Sequence, residues 1–453
     1  MAASMRAAHL TYENAPRPSV VLGCLLPAPW LGATAGLLLA FGPSDGLPLR
    51  FSPTVLAVVH LLALGMLVPV MVGALFQMMP VVAGVRVRGS DALARLVALL
   101  GGATALGLAG GFLAGRPLGF RVAMVLGAPF LGLVGLALLR AGARVVAVDA
   151  TTRTLAGIGA ALIATAATGA ALAGVLGGQW QLAPGPLLRL HVAWGLVGWI
   201  ATLVTGVATT VVPMFWQTGR LPAALERFLP WGIWLLLLAY SGAVIDAPQF
   251  SGAGAAPLLL LLGALAAYGL GGVLRARRRH DPCWRLWAAA CVSAIGAVAL
   301  SLAAIALPVS IAIPWWIGIA VLVGCGVLPV TAMIGKIVPF LIWMHLRRRL
   351  PLPARIPAMQ AMISPGQQRW QANLLLLAYV LLLALPLAPR WLALPGGVLF
   401  AAANVWLGLQ LLRAVRCLHR TMARGGLPPR HAGRRETGHS DPGREKRSRK
   451  AFP

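Results

Sequence analysis

Acidic side chains are scarce in this chain: ten Asp and Glu in 453 residues, against 38 Lys and Arg. All ten (Glu13, Asp45, Asp91, Asp149, Glu226, Asp246, Asp281, Glu436, Asp441 and Glu445) fall in stretches that read as loops, tails or the ends of apolar runs. Pumps and proton-coupled transporters place a carboxylate at membrane depth to relay protons, so energy coupling by carboxylate protonation is disfavoured. Cysteines are few as well. Cys24, Cys283, Cys291, Cys325 and Cys417 form no CxxC pair and no metal-ligand spacing, which argues against a disulfide framework or a zinc module; most read as buried, inert thiols. There is no phosphate-binding P-loop, nucleophile elbow, zincin helix or dinucleotide-binding glycine fingerprint in the context of a strand and helix. Charged residues of both signs make up only 11% of the chain, whereas 59% are hydrophobic and the mean hydropathy is +0.83. A water-soluble domain has no place to hide that much apolar surface.

What is there is a series of long apolar runs. A helix needs about 20 apolar residues to cross the hydrocarbon core, and the runs predict twelve spans. These lie near 20–41, 53–80, 93–114, 122–140, 154–177, 188–216, 228–247, 256–274, 286–307, 313–345, 371–388 and 391–413. The polar N-terminal stretch lacks the short basic region and small-residue cleavage site of a signal peptide, so the first run reads as a retained span. The expected organisation is an N-terminal tail over 1–19, a membrane domain over 20–415 and a basic, disordered tail over 416–453. With the tail before span one counted as a loop, alternate loops and tails hold 32 of the 38 basic residues, including RARRRH (275–280) and HLRRRL (345–350). The opposite loops hold five: Arg50, Arg116, Arg121, Arg189 and Arg390. Loop arginines and lysines mark the cytoplasmic side, which places both termini there. The net charge of +28 is thereby explained by topology, and the expected surroundings are a lipid bilayer rather than nucleic acid.

Three spans are longer than the rest and share a pattern. Span two begins at His60 in HLLALGMLVPVMVGALFQMMPVVAG, and span six at His191 in HVAWGLVGWIATLVTGVATTVVPMFW; span ten reads IGIAVLVGCGVLPVTAMIGKIVPFLIWMH. Each ends with an apolar-Pro-apolar step, at Pro80, Pro213 and Pro339, and in the first two a glycine (Gly73, Gly206) stands seven residues before the proline. Such spacing predicts three repeated units of four helices, roughly 20–140, 154–274 and 286–413. Four is an even number, so the units run parallel rather than inverted.

A bundle of about twelve helices in three pseudo-symmetric four-helix units resembles subunit I of the haem–copper oxidases, and more closely the NnrS-like haem–copper proteins. The stretches that carry the likeness are His60-Leu-Leu-Ala-Leu-Gly65, the Gly73, Gln77 and Pro80 pattern, and Gly335-Lys336-Ile-Val-Pro339-Phe340. The resemblance implies an all-α membrane fold in a bacterial cytoplasmic (inner) membrane. It also implies haem or copper as cofactor, respiratory-chain components as partners, and a role in nitric-oxide or respiratory stress handling. In subunit I the equivalents of spans two, six, seven and ten supply histidines to two haems and a copper. Here span seven (LPWGIWLLLLAYSGAVI) and the outer half of span ten (PWWIGIAVLVGCGVLPV) contain none. An oxygen-reducing binuclear centre therefore cannot be assembled, and oxidase activity is not expected.

The candidate site residues follow from chemistry at depth. His60 and His191 are the histidines in the outer half of the membrane region, and neutral imidazole ligates iron, copper or zinc; two can bind a haem axially. The alternative is that each hydrogen-bonds between helices or faces interfacial water. Met66, Met71, Met78 and Met79 cluster on span two and Met214 lies beside Pro213; a thioether can bind copper or haem, or simply fill a core. Lys336 is the one lysine within a span; it either snorkels to the surface or pairs with a propionate, a phosphate or helix-end carbonyls. Gln77, Thr205, Thr209, Thr210, Thr331, Asn373, Asn404 and Gln410 read as interhelical hydrogen-bonders. His345 and His280, beside arginines, read as interfacial, and His9, His419, His431 and His439 as tail residues. Two other functions stay open: a permease for a small apolar or anionic solute, and an accessory subunit of a respiratory complex.

Overall fold

The computed structural model describes residues 14–307, 310–351 and 354–426. These described residues form helices and connections with no strand; a helix satisfies its backbone hydrogen bonds within its own segment, one of the two solutions open to a chain in lipid. The apolar helices are α1 (Pro18–Phe41), α2 (Pro53–Val82), α3 (Ser90–Ala114), α4 (Pro117–Gly142), α5 (Ala150–Leu176) and α6 (Pro184–Trp216). They continue with α7 (Trp231–Asp246), α8 (Pro248–Leu274), α9 (Trp284–Ala306), α10 (Ala312–Arg349), α11 (Pro365–Leu387) and α12 (Pro389–Ala423).

Each helix falls where an apolar run predicts it, but among the described residues eleven rather than twelve are long and apolar enough to cross a membrane. The exception is α7. Its run was expected from residue 228, yet the helix begins after Pro230 and is left with 16 residues, about 24 Å at 1.5 Å per residue. At the other end, α12 continues to Ala423, so the first part of the expected tail is helical. The expected tail segments 1–13 and 427–453, with His9, His431 and His439, lie outside the described residues.

Helices that follow one another in the chain pack side by side, and α12 packs against α1 to close the ring. Small residues permit that closure. A Cβ built on Gly36 would lie 2.7 Å from the carbonyl oxygen of Gly397, and one on Gly397 would lie 2.6 Å from the nitrogen of Ala40. Inside the ring α10 touches both α2 and α6. Burial follows: 72% of the most apolar stretch of α2 and 78% of that of α10 is buried, against 11% for α8 and 17% for α9. The core thus runs along α2 and α10, while α8 and α9 form an outer wall.

The three proline-ended helices share a local irregularity that their hydropathy does not reveal. Each contains a π-helical segment: Leu61–Leu67 in α2, Trp194–Ala201 in α6 and Ala320–Val327 in α10. Each segment begins 19 residues before its proline, Pro80, Pro213 or Pro339. A fourth lies in α4 at Ala123–Gly127. A π segment widens the helix and shifts its side-chain register, and such segments recur at functional sites.

Candidate functional site: a histidine pair between α2 and α6

α2 and α6 start alike. Pro53 and Pro184 occupy first-turn positions, where the missing N–H costs nothing. Ser52 caps the first, its hydroxyl accepting from the Val55 amide at 3.3 Å. His60 and His191 each stand seven residues beyond their proline, about 10 Å along the helix. His191 was expected to open its span; the helix starts several residues earlier, so the side chain sits as deep as His60. In α2 the π segment follows His60 immediately, and in α6 it begins three residues after His191.

The two imidazoles lie near one another in almost parallel planes. Their ring centres are 6.5 Å apart and their planes 9° from parallel. His60 Nδ1 lies 2.8 Å from the carbonyl of Leu56, one turn back on the same helix. His191 Nδ1 lies 3.2 Å from the carbonyl of Thr165 on α5, with the Thr168 hydroxyl at 3.5 Å. A carbonyl only accepts, so each Nδ1 must carry the proton and donate. In the neutral rings this leaves both Nε2 atoms with a free lone pair, and a backbone carbonyl behind Nδ1 is the usual orienting partner of a metal-binding histidine.

The surroundings hold the rings in place. Phe112 of α3 lies 5.2 Å from His60, ring centre to ring centre, and Phe120 of α4 stacks edge-on against Phe112 at 5.0 Å. Behind His191 is Gly169 of α5, where a Cβ would lie 2.9 Å from Cε1; any larger residue would push the imidazole away. Thr165, Thr168, Gly169 and Phe112 were not singled out from sequence. The visible signal is weak: two threonines and a glycine along one face of an apolar helix. No group of three or more His, Cys, Asp or Glu side chains able to hold a metal occurs among the described residues.

The other candidates lie elsewhere. Met78 and Gln77 are 18 and 17 residues beyond His60 on the same helix, about 27 and 25 Å away by helical rise. Met78 lines a cavity of about 90 Å3 together with Met71 and Met333. Gln77 is buried with its carbonyl oxygen unpartnered among the described atoms. Met214 is 48% exposed, a helix-surface residue. Met66 packs towards Gly32 of α1, its sulfur 2.9 Å from where a Cβ would stand.

Lys336 has a partner the sequence did not suggest. Asp281, from the α8–α9 connection, reaches it in a salt bridge. The same ammonium donates to Gln368 Oε1 at 3.2 Å, and the Gln368 amide donates to the Gly335 carbonyl at 3.0 Å. The lysine therefore has two partners within the protein.

The expected interhelical hydrogen-bonders divide. Thr209 and Thr210 meet the Thr151 hydroxyl at 3.0 and 2.8 Å, Gln410 donates to Gln371 at 3.2 Å, and Asn373 accepts from Arg285 at 2.9 Å. Asn404 instead donates to Phe400 on its own helix at 2.9 Å, and the Thr331 hydroxyl is unpartnered among the described atoms. Thr205 lines the cavity between α6 and α8. His345 lies in the last turns of α10 before its three arginines, and His280 and His419 are exposed. All five cysteines are free.

No protein-family model matches the chain. A comparison with curated proteins found no similar sequence.

Proposed function

We propose that this multi-pass membrane protein holds one haem iron or one copper ion between His60 and His191. The observation that carries the reading is the paired geometry: two parallel imidazoles with both Nδ1 atoms engaged by carbonyls and both Nε2 atoms free. Two imidazoles sharing one ion have nitrogens about 4 Å apart. With each ring turned to point its Nε2 at the shared ion, the ring centres would stand about 6 Å apart, against 6.5 Å here. Bound there, an iron or copper would supply one-electron chemistry. The protein's own part is to keep the two rings aligned, and to shield them with Phe112 and the packed faces of α3 and α5.

The repeated π segments, each 19 residues from its proline, support three parallel four-helix units in a haem–copper oxidase-like arrangement. The arginine-rich face is then cytoplasmic, the membrane the bacterial inner one, and the histidine pair lies towards the opposite side. The role that fits is cofactor-dependent handling of nitric oxide or respiratory stress alongside respiratory-chain components. Oxygen reduction is not part of it, because α7 and the first half of α10 contribute no histidine.

The test is an absorption spectrum and metal analysis of protein purified from haem- and copper-replete cells. A haem Soret band or one copper per chain is expected, lost in His60→Ala and in His191→Ala and retained in His345→Ala. A colourless, metal-free wild-type preparation would sink the proposal.

A further inference from the structure

A cavity of about 360 Å3 separates α6 from α8 and α9, with α10 at its back. Its walls are almost wholly apolar, with Leu196, Val204, Leu262, Ala294 and Val321 among them. On α8 the lining runs from Leu259 to Val273 and on α9 from Trp287 to Ser301, 14 residues in each case and so about 21 Å of height. That exceeds the ~15 Å that one leaflet contributes to the hydrocarbon core. The low burial of α8 and α9 fits walls that stand against lipid rather than against protein.

The two ends of the cavity differ. At the end shared with the arginine-rich loops it is lined by Thr218, Gly219, Tyr268 and Val273. The Tyr268 hydroxyl donates to the Arg220 carbonyl at 3.2 Å, and the Arg278 amide donates to the Trp216 carbonyl at 3.3 Å. These two bonds draw the loop after α6 and the loop after α8 together over the cavity mouth. Arg220, Arg275, Arg277, Arg278 and Arg279 are all exposed there, and none has a carboxylate partner among the described residues. A tall apolar slot ending in five uncompensated arginines matches an amphiphile with one long chain and a negative head.

We propose that this cavity is a binding site for one anionic phospholipid. An acyl chain lies between α6 and the α8–α9 wall, and the phosphate and anionic head are held by Arg220 and the Arg275–Arg279 run. A small polar solute finds too few partners along the walls. A zwitterionic lipid brings an ammonium group towards five positive charges, which opposes the phosphate's attraction. The proposal does not rest on any bound metal.

Two thiols report on occupancy, because Cys291 and Cys325 line the cavity. The full-length protein is placed in nanodiscs of pure phosphatidylcholine or of phosphatidylcholine with phosphatidylglycerol. N-ethylmaleimide labelling of each cysteine is then followed by peptide mass, with Cys417 as the internal control. Phosphatidylglycerol is expected to slow labelling of Cys291 and Cys325 about tenfold and leave Cys417 unchanged. Native mass spectrometry of the same protein is expected to retain one phosphatidylglycerol, and the quadruple change Arg275→Gln, Arg277→Gln, Arg278→Gln, Arg279→Gln is expected to lower that retention about tenfold. Ala294→Trp, which fills the slot, is expected to abolish retention while leaving the thermal transition in place. Equal labelling and retention in the two lipids, or undiminished retention in the Ala294→Trp protein, would overturn the assignment. The wild-type labelling comparison decides the matter even if a variant fails to fold.

Discussion

Helices α4 and α5 lie backbone to backbone, whereas α6 and α8 are held apart by a cavity of about 360 Å3. Both regions are rich in glycine, so glycine content does not explain the difference. At the first interface the glycines face one another. A Cβ on Gly135 would lie 3.0 Å from the Gly159 carbonyl, and a Cβ on Gly159 would lie 2.6 Å from the Leu139 amide. On α8, by contrast, Gly271 and Gly272 face open space with nothing within 4 Å, and Gly269 meets only the Cys291 sulfur at 3.5 Å. In lipid, helices associate through close van der Waals fit rather than by escaping water. Small residues draw two helices together only where they oppose each other in register. Where they do not, the gap stays open to a lipid chain.

The comparison is most severely tested at Gly159. Gly159→Leu drives a side chain into the α4 backbone, and is expected to cost about 3 kcal/mol or to prevent folding, read as a lost or much lowered thermal transition in detergent. Next is the connection that pins the loosely packed region at its arginine-rich end. Asp281→Asn removes the counter-ion of Lys336 in a pair whose side chains are 16% and 20% exposed. A destabilisation of about 2 kcal/mol is expected, below the cost of breaking a fully buried pair. The double change Asp281→Leu with Lys336→Met is expected to recover most of it, because it leaves no unpaired charge.

Third is the threonine cluster joining α5 to α6. The Thr151 hydroxyl donates to the Gly206 carbonyl at 2.8 Å and meets Thr209 and Thr210. Thr151→Val is expected to cost about 1–2 kcal/mol, measured by the same unfolding transition. The smallest effect belongs to the open region: Gly272→Leu is expected to shift stability by no more than about 0.5 kcal/mol, since its side chain enters the cavity. If Gly272→Leu were as damaging as Gly159→Leu, the contrast between the two regions would fail.

The histidine pair was legible in part. Its members could be named because histidine is conspicuous in an apolar run and because both precede a recurring proline by similar distances. The start of α6 lies about one turn earlier than expected, since hydropathy averages over the helix start and missed the turn that begins at Pro184. The carbonyls of Leu56 and Thr165, Phe112 and Gly169 carry no signal of their own in an apolar sequence; only helix packing gives them a role. Met78, Met214 and Gln77 drew notice for their chemistry and lie apart from the histidine pair. The π segments were invisible because they alter hydrogen bonding and register without altering composition.

The positions of the helices were determined by the sequence alone, because the length of an apolar run and the prolines and arginines at its ends are local quantities that the bilayer reads one segment at a time. The tertiary structure decided which residues meet. Asp281 and Lys336 are 55 residues apart in the chain, and His191 and Thr165 are 26 apart. Bringing such pairs within hydrogen-bonding distance depends on helix rotation and register, which follow from side-chain fit across whole interfaces. The open slot between α6 and α8 has the same origin: it is a failure of two surfaces to match, and no single stretch of sequence contains it.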